Sequence, residues 1–470
     1  MKKVHLIGIC GKGMSALAFM LKQKGYKISG SDEGFYDPVA SLLKKNKINF
    51  TPNYSPSNIP KNADLIVIGK HAGLTPEENK EVAAAFKSGI KIQSLPEVLG
   101  DLSKNTENTV VAGSFGKSTV TALLSWCLEK SQKDPSYYIG AVPLGFQANA
   151  KLGKGRNFIF EGDEYPSSNW DQKSKFLYLH PKNLILISAE HDHINVFPTE
   201  KSYLEPYKEL VSMLPKNGIL VAAKNGKNIK PLIEKAKCKV INYGIKKDAT
   251  WHCENIKYGE KTSFDLFKGK KKVINLKTNL LGNHNIENII GVSAFVLEKK
   301  LITSKELQKS IASFKGLSGR IDLKTKKSTV LVYEGFGSSY SKAKSVFDSL
   351  KLHFPTKKLI TVFEPHTFGW RNMEAKKWYQ DIFHTSSSVI ILPPPMHGAN
   401  THDQMTFSEI VKEVKKKNKN TYGTQSEKET LDILKRITKK DSIIVLVSSG
   451  SLLGLTLSVP RLMEKIFPKK

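Results

Sequence analysis

The sequence predicts an α/β protein built on parallel sheets and arranged in three modules. Short apolar runs of strand length alternate with segments of helical spacing along all 470 residues. Two glycine-rich loops each follow an apolar run and open a helix. Polar, turn-rich breaks at Asp101 to Asn108 and at Leu317 to Ser328 divide the chain. Modules of this size fit the usual length of a folding domain.

In the first module, Val4 to Ile9 reads as a buried strand, Met14 to Lys24 as a helix and Tyr26 to Ser29 as a second strand. Leu65 to Ile68 is a further strand, and Pro76 to Ser88 a helix stopped by Gly89. The second module opens with strand Val110 to Ala112 and helix Val120 to Lys130. Strands Phe158 to Phe160, Leu184 to Ser188 and Ile219 to Ala222 follow. Lys257 to Val273 alternates and is broken by glycine, as inserted hairpins are; Asn283 to Lys299 reads as helix. The third module carries strands Thr329 to Tyr333, Leu359 to Phe363, Val389 to Leu392 and Ser442 to Leu446, with helices Lys342 to Leu350 and Phe407 to Lys416.

Lys and Arg number 73 against 43 Asp and Glu, a net charge of +30. The excess is nearly all lysine and is scattered, which describes solvated faces better than a nucleic-acid footprint. No apolar run reaches the ~20 residues that span a bilayer. The 4 cysteines include no C-x-x-C pair, so the composition suits a reducing cytoplasm. The expected partners are therefore small anionic molecules, with no nucleic acid and no membrane insertion.

The sharpest motif is Gly113-Ser114-Phe115-Gly116-Lys117-Ser118-Thr119, between a strand and a helix. Small residues there let backbone N–H groups converge on phosphate oxygens at a helix N-terminus. Lys117 is placed to neutralise β/γ phosphates and Ser118 to reach Mg²⁺. Glu161-Gly162-Asp163-Glu164 and Glu190-His191-Asp192-His193 each follow a strand, where open α/β sheets put their ligand crevice. Carboxylates with a neutral imidazole suit a hard cation. Gly8-Ile9-Cys10-Gly11-Lys12-Gly13, with Ser31-Asp32 closing the next strand, suits a diphosphate on a helix N-terminus. Its G-x-x-G-x-G spacing departs from the dinucleotide fingerprint. Gly282-Asn283-His284-Asn285 precedes a helix, and Gly319-Arg320 lies at the second break.

These six features, in this order, resemble the Mur ligases over nearly the whole chain. The resemblance implies three domains: a Rossmann-like UDP-sugar domain at 1–104, a P-loop ATPase-like ATP domain at 105–316, and a Rossmann-like amine- or peptide-binding domain at 317–470. It implies an ATP- and Mg²⁺-dependent amide ligase of cell-wall synthesis that passes through an acyl-phosphate on UDP-N-acetylmuramate. Lys117, Glu164, His193 and Arg320 would be catalytic. Gly113, Ser114, Gly116, Lys117, Ser118, Thr119, Asn285 and Arg320 would hold ATP, and Ser118, Glu164 and His193 the Mg²⁺. Gly11, Gly13, Met14, Ser31 and Asp32 would hold the UDP-sugar.

Ile139 to Pro143, Glu164-Tyr165, Lys173 to Phe176 and Asn195 to Pro198 resemble the members that join L-Ala-γ-D-Glu-meso-diaminopimelate in one step during recycling. Members that add L-alanine are the alternative, as is a nucleotide-binding relative with altered substrate or weakened catalysis. The last motivates itself from Glu334 to Tyr340: Gly335 and Ser338 stand where the family has a nucleotide-contacting Asp and a His. Phe115 and Gly162 replace a His and an Ala. Lys208 falls where some relatives carbamylate a lysine. A cytoplasmic monomer or weak homodimer is expected.

Overall fold

The computed structural model describes residues 1–34, 39–193, 196–395 and 404–469; Asn195 of the Asn195 to Pro198 motif lies outside them. The chain forms two compact units. The first comprises Met1–Ile256, Phe264–Thr278 and Glu287–Lys315; the second comprises Lys257–Ser263, Asn279–Ile286 and Gly316–Lys470.

The first sheet contains β1 (Lys3–Ile7), β2 (Lys27–Ser31), β3 (Asn49–Thr51), β4 (Leu65–Ile68) and β5 (Ile92–Ser94), in spatial order β3-β2-β1-β4-β5. Every pairing in it is parallel. The chain leaves β1 toward β2 and β3 but leaves β4 toward β5. A crevice therefore opens beyond the carboxyl ends of β1 and β4, the position where such sheets bind ligands.

The second sheet contains β6 (Glu107–Ala112), β7 (Ser136–Tyr138), β8 (Ala150–Lys151), β9 (Asn157–Glu161), β10 (Asn183–Leu186), β11 (Ile219–Ala223), β12 (Lys239–Tyr243), β13 (Trp251–Lys257), β14 (Thr262–Lys268) and β15 (Lys271–Thr278). Their order is β15-β14-β13-β12-β11-β10-β6-β9-β7-β8. β6 lies between β10 and β9, parallel to both. Val110, Val111 and Ala112 are fully buried, as befits a central strand covered on both faces. The loops after β6, β9 and β10 consequently emerge side by side.

The second unit is built on β16 (Asp322–Leu323), β17 (Leu331–Phe336), β18 (Lys358–Phe363), β19 (Ser388–Ile391), β20 (Thr421–Gly423) and β21 (Ser442–Ser448), ordered β16-β17-β21-β18-β19-β20. All seven residues of β21 are buried. Helix Tyr340–His353 packs Ala343, Val346, Phe347 and Leu350 on one face of the sheet, and helix Leu455–Ile466 packs Leu455, Val459 and Met463 on the other.

Some local readings shift. Helix Leu95–Leu102 runs into the expected linker Asp101 to Asn108, held at its start by a capping box between Ser94 and Glu97. β6 then begins at Glu107, because Glu107 and Asn108 pair with Asn157 and Phe158. The helix expected from Pro76 starts at Lys80, since the Asn79 side chain accepts from the Glu81 and Val82 N–H groups. Helix Glu200–Ser212, with Pro206 inside it, carries Lys208; Thr199 caps it.

Candidate active site

The phosphate-loop residues leave β6 and turn directly into helix Lys117–Lys130. Gly116 makes the turn with φ +82, and a Cβ there would stand 3.0 Å from Asn288 Oδ1, so glycine alone fits without strain. The Ser114 N–H donates to the Ser188 carbonyl at 3.1 Å, and its hydroxyl donates to the Glu190 carbonyl at 2.6 Å. The loop after β10 thereby shapes the loop after β6.

Lys117 Nζ lies 2.7 Å from Glu164 Oε2, with side chains 15% and 1% exposed. Burial alone would lower the lysine pKa; the Glu164 carboxylate outweighs it and raises it. Glu164 Oε1 is buried with no hydrogen-bond partner among the described residues. His193 Nε2 stands 3.4 Å from that oxygen. The Tyr165 hydroxyl meets His193 Nδ1 at 2.9 Å, so the imidazole is held at its far nitrogen while the near one faces the carboxylate. An orphaned carboxylate oxygen beside an imidazole nitrogen fits a hard cation. Ser118 is differently engaged: its hydroxyl donates to Glu161 Oε1 at 2.7 Å, while the Gly140 N–H donates to Glu161 Oε2 at 2.7 Å. Burial raises the Glu161 carboxyl. Among the described residues no group of three or more His, Cys, Asp or Glu side chains is arranged to hold an ion. The protein thus offers the Glu164 carboxylate and the His193 imidazole, with Asp192 Oδ2 3.8 Å from the same imidazole nitrogen.

Ser31 and Asp32 build the first glycine loop. The Ser31 carbonyl accepts from the Gly8 and Ile9 N–H groups at 2.9 and 3.1 Å. Asp32 Oδ2 accepts from the Cys10 N–H at 2.8 Å, and Oδ1 from the N–H groups of Glu33 and Gly34 and the Tyr54 hydroxyl. The Ser31 hydroxyl donates to the buried Glu81 at 2.7 Å. Gly11, Gly13 and Met14 instead line a cleft of about 520 Å³, which Lys117, Tyr138 and Asp163 also line. Glu161 stood in the acidic motif Glu161 to Glu164 but was given no separate role; Tyr138, Tyr165, Lys70 and Lys175 were not read as cleft or site residues. No spacing signal marks those four, although Tyr165 and Lys175 lie in stretches noted for the family resemblance.

Asn285 and Arg320 belong to the second unit. The Asn285 amide donates to the Leu281 carbonyl at 2.8 Å, and the Arg320 guanidinium lies 4.3 Å from the Phe336 ring centroid. Burial, with the charges of His353 and Arg320, pushes His284 down to about 4. Gly335 has a packing reason: a Cβ there would meet Val346 Cγ1 at 2.6 Å. Glu334 pairs with Lys324 at 2.9 Å, and the Ser338 carbonyl accepts from the Thr367 hydroxyl. Lys208 pairs with Glu205 on the helix surface.

A phosphate loop whose lysine meets a buried acid, facing a cleft shared with a second glycine loop, defines a nucleotide-using enzyme of α/β fold. Residues 111–296 match the model described as Mur ligase middle domain, and residues 3–107 the one described as Mur ligase family, catalytic domain. A UDP-N-acetylmuramate–L-alanine ligase of Clostridium botulinum (strain Loch Maree / Type A3) is 32% identical over 371 residues, 78% of each chain. The chain belongs to the Mur ligase family, whose members are ATP-dependent amide-bond ligases. The crystal structure of the UDP-N-acetylmuramate–alanine ligase MurC from Thermotoga maritima shares the fold, with TM-score 0.78 and 19% identity over 99% of each chain. That of the UDP-N-acetylmuramate:L-alanyl-γ-D-glutamyl-meso-diaminopimelate ligase from Neisseria meningitides has TM-score 0.62 and 26% identity, covering 68% of this chain and 99% of that one. The three-domain Mur ligase architecture expected from the sequence is therefore the one found. Among the described residues no helix is long and apolar enough to cross a membrane.

Proposed function

We propose that the chain joins an amine to the lactyl carboxylate of UDP-N-acetylmuramate at the expense of ATP. The observation that carries this is the single cleft lined by Gly11 and Gly13 of the first glycine loop and by Lys117 of the phosphate loop. A sugar nucleotide held at the first loop has its carboxylate end directed toward the second. With the Ser114 N–H already given to the Ser188 carbonyl, the backbone N–H groups at Gly113 and 115–118 are the ones left for the ATP phosphates, and Thr119 extends that helix start. Lys117 turns from Glu164 to the phosphate being transferred and stabilises its charge. The carboxylate attacks the γ-phosphorus, ADP leaves, and the acyl-phosphate is consumed by the amine with release of phosphate. Glu164 and His193, with Ser118 once its hydroxyl leaves Glu161, would hold Mg²⁺. The ion when bound supplies charge neutralisation at the phosphate oxygens. Asn285 and Arg320 are assigned to the nucleotide by the family pattern alone.

For the amine, we propose the tripeptide L-Ala-γ-D-Glu-meso-diaminopimelate. The stretches Glu164-Tyr165 and Lys173 to Phe176 support it, as does the 26% identity to the Neisseria ligase. L-alanine is the second reading, favoured by the 32% identity to the Clostridium alanine ligase. Phosphate release with ATP, Mg²⁺ and UDP-N-acetylmuramate, with tripeptide or with L-alanine, tests both. Release with tripeptide only is expected. Release with L-alanine only replaces the first reading by the second, and release with neither refutes both.

A further inference from the structure

The motif Gly282-Asn283-His284-Asn285 lies in the segment Asn279–Ile286, which folds with the second unit, as does Lys257–Ser263. The motif is seated on one face of helix Tyr340–His353. Ser345, Ser349 and His353 recur every four residues and so share that face. Ser349 and His353 are buried, and buried polar groups need partners. Ser349 bonds back to the Ser345 carbonyl at 2.6 Å, and the Ser345 hydroxyl stands 3.3 Å from His284 Nδ1. A Cβ on Gly282 would collide with the Ser349 hydroxyl and the His284 ring, so only glycine lets the loop come this close.

His353 joins three segments. The Gly282 N–H, which can only donate, gives to Nε2 at 2.8 Å. That nitrogen is therefore unprotonated; the proton sits on Nδ1, which donates to the Gly259 carbonyl at 2.9 Å. The Gly259 N–H stands 3.4 Å from the same Nδ1. Burial favours this neutral ring and outweighs the Gly259 carbonyl, so the pKa lies below 6.5. Gly259 belongs to the turn between β13 and β14. Beside it the Tyr258 ring meets the His353 ring edge-on at 5.2 Å, and the Tyr258 hydroxyl donates to Asn283 Oδ1 at 2.7 Å. From Gly282 the linkage continues to Asn285: the Gly282 carbonyl accepts from the Asn285 N–H at 3.0 Å and from the Ile286 N–H at 3.3 Å.

We infer that His353 is a positioning residue for the nucleotide. It fixes Gly282 between the helix and the turn, and thereby sets Asn285 before ATP arrives. A loop that is already ordered does not draw its ordering cost from the binding energy. The inference rests on the reading of Asn285 as a nucleotide residue.

The test is equilibrium titration of the full chain with Mg²⁺–ATP and, separately, with UDP-N-acetylmuramate. Wild type is compared with His353→Phe, which keeps a ring and loses both bonds, and with His353→Gln, whose amide offers one acceptor and one donor. Tyr258→Phe removes an exposed hydroxyl from Asn283, and Asn285→Ala reports on the nucleotide reading itself. ATP affinity should fall about 10-fold in His353→Phe and about 3-fold in Tyr258→Phe, with His353→Gln near wild type and UDP-N-acetylmuramate affinity unchanged throughout. Unchanged ATP affinity in His353→Phe and Tyr258→Phe, beside a weakened Asn285→Ala, overturns the positioning role. So does a loss that falls equally on ATP and the sugar nucleotide, as a merely structural role would give, or a loss that His353→Gln does not relieve. If Asn285→Ala binds ATP like wild type, the nucleotide reading fails first, and the role of His353 with it. Should His353→Phe not fold, Tyr258→Phe decides alone.

Discussion

Replacing Lys117 by alanine should be costly in two separable ways. The side chain is 15% exposed and its partner Glu164 only 1%. Removing one member of so buried a pair leaves an uncompensated carboxylate and costs about 3–5 kcal/mol. For a unit of this size that corresponds to a melting shift on the order of 10 °C. Phosphate release should fall at least ~100-fold, the usual loss when a group that stabilises transferring charge is removed. The structural part is isolated by adding Glu164→Gln, which removes the stranded charge. The double variant should be more stable than Lys117→Ala alone, with a coupling of about 1–3 kcal/mol, and remain inactive. The pair's sign with pH also follows. Because the lysine pKa is raised from 10.5, its stabilisation is full below that value and is lost as the pH climbs through the raised one. The melting gap between wild type and Lys117→Ala should therefore close only in strong alkali. Thermal denaturation of wild type, Lys117→Ala, Glu164→Gln and the double variant, run beside the phosphate assay, decides it. Lys117→Ala melting with wild type, or additive losses in the double variant, would refute the buried pair.

Three further outcomes are expected. Burial pushes the Glu81 carboxyl up, but donors from His5, Ser31, Asn58 and the Ser55 N–H bring it below 4.5; its stabilisation is thus full above that pH and lost as pH falls through the depressed value. Glu81→Gln should be destabilised at pH 7 and show a flatter melting profile between pH 5 and ~3 than wild type; parallel profiles would contradict this. Gly335→Ala should cost about 1–3 kcal/mol by overpacking against Val346, and Val346→Ala should recover most of it in denaturant melts. Tyr165→Phe, which frees His193 Nδ1, should raise the Mg²⁺ concentration for half-maximal phosphate release about 10-fold at unchanged stability; an unshifted Mg²⁺ curve would show that the hydroxyl does not orient the imidazole.

Both glycine loops were legible because their chemistry is local: small residues, a lysine, and a strand and helix on either side. Glu164 and His193 were legible because each follows an apolar run. The cleft wall was not. Lys70, Tyr138 and Lys175 come from separate segments of the chain, and only the order of strands in the two sheets brings them to one cavity. Spacing located Asp32 but not its use, since it carries no information on which backbone N–H groups an acid will meet. In the structure those groups are Cys10, Glu33 and Gly34. Asp101 to Asn108 read as a linker because the polar content of a capped helix end and a strand start is the same as that of a loop.

On the reading proposed above, the contact between Lys117 and Glu164 also sets a threshold for anions. At rest the ammonium is already matched by one unit of negative charge. A visiting anion gains it only by displacing a carboxylate that is almost wholly buried. A single carboxylate or monoester brings little advantage to that contest, whereas a polyphosphate brings several charges and the surrounding N–H groups at once. On that reading a small anion leaves the ion pair in place, and the triphosphate opens it.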